Sequence, residues 1–132
     1  MKLMLDTDTC IYIINRRPSR VFERFRAYEI GDIGLSSVSL SELRYGAERS
    51  SNPAANHRAL GDFISPLEIA PYDEVAADEY GGIRSHLERR GEPIGSMDLM
   101  IAAHARSLRV TLITNNMREL GRVADLRLET WT

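Results

Sequence analysis

The sequence predicts an α/β fold with a central, mainly parallel sheet of about four to five short strands flanked by helices. Three observations lead there. Strand and helix signals alternate along the chain, the order expected of a parallel sheet with crossover helices. The strand candidates are short and nearly continuously apolar, as at Leu3-Met4-Leu5 and Val110-Thr111-Leu112-Ile113. The intervening stretches repeat apolar residues at three- and four-residue spacing, the period of an amphipathic helix. A length of 132 residues without internal repeats, low-complexity tracts or a long linker predicts one domain over residues 1–132.

The elements follow in order. Lys2-Leu3-Met4-Leu5 reads as a buried strand ending at Asp6, and a helix runs from about Thr7 through Ile14. Pro18 and Ser19 break that helix and restart another, with Val21, Phe25 and Tyr28 on one face. Residues 32–36 form the second strand. Ser37 or Ser39 is placed to cap the next helix, through Leu40, Leu43 and Ala47; Ser39 and Glu42 have the spacing of a capping box. Asn52-Pro53 opens a helix to Ile64, and Leu67 to Ala70 is the third strand. A long helix covers Asp73 to Arg90, its pattern interrupted at Gly81-Gly82. Ser96 is read as the cap of a strongly apolar helix, Met97 to Leu108, which leads into the Val110 strand. A short helix at Met117 to Leu120 and a last strand at Leu126 to Trp131 complete the chain.

Composition narrows the function. Cys10 is the only cysteine, which excludes an internal disulfide and a cysteine-based zinc site and fits a reducing, cytoplasmic setting. An acid at position 6 comes too early for a secretory signal. No apolar run approaches the roughly 20 residues of a membrane-spanning helix. The net charge of −2 is not that of a general nucleic-acid binder. Lys2 is the sole lysine; the other sixteen cations are arginines, densest at Arg16, Arg17, Arg20, Arg24 and Arg26. That run suits either a solvated helix face or contacts to phosphate.

Ligand sites in parallel sheets form outside the carboxyl ends of the strands. Here that rule selects Asp6-Thr7-Asp8 and Thr114-Asn115-Asn116. Taken singly, Asp6 and Asp98 read as helix-start acids favoured by the helix dipole, and Glu42 as a capping residue. Together they read differently. Asp98 opens an almost wholly apolar helix, where a carboxylate needs a partner. Several carboxylates converging on one place repel unless a cation lies between them. Oxygen donors without cysteine point to Mg²⁺ or Mn²⁺ rather than zinc, and so to phosphodiester chemistry.

Four segments then stand in order: Met4-Leu5-Asp6-Thr7-Asp8, residues 36–46 around Glu42, residues 93–105 around Asp98, and Ile113 to Leu120. Together they resemble the signature segments of PIN-domain VapC toxins over essentially the whole chain. The resemblance implies a PIN-like domain and a Mg²⁺- or Mn²⁺-dependent endoribonuclease that cuts structured RNA, with transfer RNA the first expectation. It implies that Asp6, Glu42 and Asp98 are metal-binding and catalytic, with Thr114 in support. The family's fourth acid is often aspartate. Here it is Asn116, which offers a carbonyl oxygen without charge, and Glu119 three residues on can supply a carboxylate. One metal at full strength is therefore expected. Arg16, Arg17 and Arg20 are candidate RNA contacts. The implied partners are a VapB-like antitoxin that blocks the acidic site, a second copy in a homodimer, and operator DNA reached only through the antitoxin.

Other readings weigh less. Asp6-Thr7-Asp8-Thr9 also resembles the first motif of haloacid-dehalogenase-type phosphatases, but these, like receiver domains, require a downstream lysine that this chain lacks. A catalytically weak PIN-like binding or regulatory module remains the alternative, favoured by Asn116 alone. His104, nearly two turns beyond Asp98, reads as a packed helix residue, and Cys10 and Trp131 as core or edge packing.

Overall fold

The computed structural model describes residues 1–132. Five parallel strands, β1 (Leu3–Leu5), β2 (Ile33–Ser36), β3 (Glu68–Ala70), β4 (Thr111–Ile113) and β5 (Leu128–Glu129), lie in the order β3-β2-β1-β4-β5. Helices α1 (Thr7–Asn15), α2 (Ser19–Arg26), α3 (Ser37–Arg49) and α4 (Pro53–Ile64) join the first three strands. Helices α5 (Glu74–Arg89) and α6 (Ser96–Leu108) lead to β4, and α7 (Met117–Leu120) to β5. A 3-10 turn at Ile30–Asp32 precedes β2.

The alternation of side chains along each strand divides the core between the two faces of the sheet. Leu3, Leu5, Leu35 and Ile113 pack with Cys10, Ile13, Val21, Leu43 and Leu60 on the side of α1 to α4. Met4 and Leu112 point the other way, into Ile83, Leu87, Leu99 and Ala102 of α5 and α6. Three-residue strands suffice because both faces are covered. At Gly34 a Cβ would lie 2.7 Å from the Glu68 carbonyl oxygen and 2.5 Å from Met1 Sδ. Glycine there lets β2 and β3 pair beneath the amino-terminal residue.

Several boundaries differ from expectation for identifiable reasons. Ser36, not Ser37 or Ser39, caps α3: its Oγ accepts the Val38 N–H at 3.1 Å directly at the end of β2. Ser39 is thereby inside the helix, so no capping box with Glu42 exists. Gly95 is the cap residue of α6, without a side-chain bond, and Ser96 is the first helical residue. Gly81 and Gly82 do not interrupt α5, which is continuous through them. The last strand is shorter than read, because Trp131 turns inward to stack on Tyr28, with ring centroids 5.5 Å apart.

His104 is buried on α6 and carries no free role. Its Nδ1 lies 2.7 Å from Ser36 Oγ, and its ring meets Tyr72 edge-on. Burial holds its imidazole below the ordinary histidine range. Because the folded value is depressed, the stabilisation is present above the unfolded value near 6.5 and is lost as pH falls through the folded value. Urea titrations at falling pH should show stability dropping below about pH 6.5, and His104→Gln should flatten that dependence. An equal slope in both proteins would assign the acid sensitivity elsewhere. Cys10 is fully buried, and burial pushes its thiol well above the usual range, consistent with packing rather than reactivity.

Candidate active site

The chain leaves β1 toward β2 on one side of the sheet, while β4 lies on the other, so the topological switch falls between β1 and β4. Ligand crevices form outside the carboxyl ends of strands at such a point. Asp6 and Thr114 are the residues that follow those two strands.

Asp6 is 8% exposed and rigidly held. It is the N-cap of α1, accepting the Thr9 N–H at 2.8 Å, while its own N–H bonds the Ile113 carbonyl at 3.0 Å. Burial raises its carboxyl above the ordinary aspartate value; bonds from Thr114 and Thr9 oppose that shift. Thr114, fully buried, accepts the Asn116 N–H at 3.0 Å, which fixes the start of the loop after β4. Asp98 stands in the first turn of α6, half-buried. Burial raises its carboxyl too, followed by the charges of Asp6, Glu119, Glu42 and Asp8. The fold therefore gathers carboxylates from α1, α3, α6 and α7 into one electrostatic neighbourhood.

Glu42 is positioned by a contact the sequence did not reveal: Thr7 Oγ donates to Glu42 Oε1 at 2.5 Å. This bond replaces the capping role as the reason for its orientation and leaves Oε2 free. Asn116 Nδ2 donates to Asp98 Oδ2 at 3.3 Å, so Asn116 acts here as a bridge between the β4 loop and α6. Tyr12 was also missed. Its hydroxyl accepts from Asn115 Nδ2 at 2.8 Å at the rim, and only its place one turn after Asp8 on α1 could have signalled it. Arg16, Arg17 and Arg20 are exposed but lie at the far end of α1 and the start of α2, away from the acids.

No three histidine, cysteine or carboxylate side chains close to metal-ligand geometry. The donor set nonetheless suits a hard divalent cation: carboxylates, a threonine hydroxyl and an amide, with no sulfur or exposed imidazole among them. Beside the site, an apolar cleft of about 330 Å³ runs between α1, α3 and α4, with Ile11, Ile14, Leu43 and Leu60 in its walls and Glu42 at its edge.

Oxygen donors gathered at the switch point of a parallel sheet suit a hydrolase of the kind that cleaves phosphodiesters with a divalent cation. Comparison with known proteins agrees. The PIN domain model matches residues 3–126. The tRNA(fMet)-specific endonuclease VapC of Shigella flexneri is 46% identical over 132 residues, covering 100% of this chain and 99% of that one. DNA-bound VapBC from Salmonella typhimurium superposes with a TM-score of 0.94 at 44% identity, covering 100% and 99% of the two chains. VapBC2 from Rickettsia felis, bound to a fragment of its promoter, gives a TM-score of 0.92 at 37% identity with full coverage of both. The chain belongs to the PIN-domain family, among the VapC ribonucleases of toxin–antitoxin pairs. It is an endoribonuclease of a divalent-metal-dependent class.

Proposed function

We propose that this protein is the toxin of a type II toxin–antitoxin pair that hydrolyses transfer RNA at a site built on Asp6, Glu42 and Asp98 with Mg²⁺ or Mn²⁺. The observation that carries the reading is geometric: Asp6 follows β1 at the carboxyl edge of the sheet, and Asn116, in the loop after the neighbouring β4, donates to Asp98 Oδ2 at 3.3 Å, which brings the two aspartates' elements to one crevice. When bound, the cation lowers the pKa of water and offsets charge on the scissile phosphate.

The residues divide the remaining work. Asp6, held by the Thr9 N–H, and Asp98, braced by Asn116, would supply fixed oxygens to the cation. Glu42, turned by Thr7, presents Oε2 to orient the attacking water and accept its proton. Asn116 brings no charge, so the site would hold one cation at full strength, with Glu119 in an accessory role. Arg16, Arg17 and Arg20 contact flanking phosphates. Initiator transfer RNA is the preferred substrate, the one named for the Shigella flexneri and Salmonella typhimurium relatives.

Solved complexes of VapBC relatives, two of them DNA-bound, support an antitoxin partner. In our reading a VapB-like antitoxin lays an amphipathic segment into the cleft beside Glu42 and closes the acidic site, and the pair reaches operator DNA through the antitoxin. The toxin forms a homodimer, residues 1–132 act as one domain, and the pair works in the cytoplasm; no helix is long and apolar enough to cross a membrane.

Purified, antitoxin-free protein incubated with total transfer RNA and Mg²⁺ or Mn²⁺ should release discrete fragments that disappear with EDTA. Intact RNA under all conditions, from protein shown to be folded, would overturn the transfer-RNA reading and favour a binding module.

A further inference from the structure

We propose that the corner between α1 and α2 is a nucleobase subsite, in which Arg16 over Phe22 receives a base of single-stranded RNA a few nucleotides from the scissile phosphate. The inference rests on the ribonuclease reading above and adds to it where, and by what chemistry, the strand is gripped.

The charge is the first observation. The chain carries a net charge of −2, yet five arginines fall within residues 16–26. Arg24 is paired with Glu129, and Arg26 lies 3.8 Å from Glu23. Arg16, Arg17 and Arg20 form no ion pair with any carboxylate. Three exposed guanidiniums without counter-charges on an acidic protein make a local anion-attracting surface.

The second observation is planar. The Arg16 guanidinium carbon lies 4.8 Å from the centroid of Phe22, and that of Arg26 lies 5.7 Å from the same ring. Arg16 occupies the left-handed position that ends α1, with φ 55°, and its N–H returns to the carbonyls of Ile13 and Tyr12. Glycine is the usual occupant of such a cap. Its place is taken by a residue whose side chain crosses to α2. A guanidinium held over an aromatic ring offers a flat cation against which a base stacks while the charge meets the phosphate.

The third observation is a ruler. Asp6 caps one end of α1 and Arg16 the other, and ten residues of helix span about 15 Å. A stacked strand advances about 3.4 Å per nucleotide, so the gap holds about four nucleotides. Tyr12, one turn before the Arg16 cap, stands between them along α1 with its hydroxyl fixed by Asn115. A strand whose phosphate sits at the acids thus runs past Tyr12 to Arg16.

The test is binding rather than turnover, made in an Asp98→Asn background so that RNA survives. Fluorescein-labelled oligoadenylate and an abasic ribose-phosphate oligomer of the same length are titrated by anisotropy against that parent and against Arg16→Lys, Arg16→Gln and Phe22→Leu. Arg16→Lys keeps the charge and loses the plane; it and Phe22→Leu should weaken oligoadenylate binding roughly tenfold and leave the abasic oligomer unchanged. Arg16→Gln should weaken both. Arg16→Lys is a surface change, so it remains informative if Phe22→Leu misfolds. If Arg16→Lys binds oligoadenylate as the parent does, the subsite is overturned while the ribonuclease stands. If the parent binds neither oligomer, the subsite is overturned, and cleavage of transfer RNA by the wild type decides the ribonuclease reading separately.

Discussion

Asp98→Asn should reduce RNA cleavage on the order of a thousandfold while raising the melting temperature of the metal-free protein. Both effects have one origin. Asp98 opens an apolar helix, and its carboxyl is raised first by burial and then by Asp6, Glu119, Glu42 and Asp8. A neutral amide removes one of the mutually repelling charges, and its carbonyl oxygen can still accept the bond that Asn116 Nδ2 gives to Asp98. Because Asp98 is only half-buried, solvent screens much of the repulsion, and the gain should be a few degrees, roughly 2–4 °C. Added Mg²⁺ should raise the melting temperature of the wild type and not of the variant. Retained cleavage would remove Asp98 from the chemistry. A lower melting temperature would mean that its charge serves the α6 dipole more than it burdens the site.

Leu112→Ala should cost about 2–5 kcal/mol, the largest stability loss expected from a single truncation here. Leu112 is 0% exposed in β4, in register with Leu128 on one side and Met4 on the other, its N–H donating to the Arg127 carbonyl at 2.8 Å, and it faces the α5–α6 layer. The same strand carries the Ile113 carbonyl that holds Asp6 and runs directly into Thr114. For a chain of this size the melting temperature should fall by roughly 8–15 °C, with the urea slope unchanged. Val75→Ala is the matched control: Val75 is 57% exposed, and its loss should stay within about 0.5 kcal/mol. Equal effects at the two positions would place the core elsewhere.

Much of the fold was legible along the chain. The apolar runs at Leu3–Leu5 and Thr111–Ile113 can satisfy their backbone only inside a covered sheet, and the helical period of Ile11–Ile14, Val21–Tyr28 and Leu99–Ala105 supplies the covers. Strand-end acids, a lone cysteine and the absence of a second lysine directed attention to Asp6, Glu42 and Asp98 and to an oxygen-ligated cation. These are local properties: each depends on a residue and its near neighbours.

Asp6 is held by Thr9, three residues on, but the contacts that orient Glu42 and Asp98 are not local: Thr7 meets Glu42 across 35 residues and Asn116 meets Asp98 across 18. Local spacing therefore misread Glu42 as a cap partner for Ser39. It also could not tell whether Arg24, answered by Glu129 across 105 residues, differs from Arg16, which stacks on Phe22 and has no carboxylate. By itself the sequence determined the element types and the buried faces and singled out the candidate acids. The tertiary structure alone decided the strand order β3-β2-β1-β4-β5, and with it which distant side chains share the crevice. Hydrogen bonds and charge pairs act over a few ångströms of space, and only the assembled sheet converts separation along the chain into that distance.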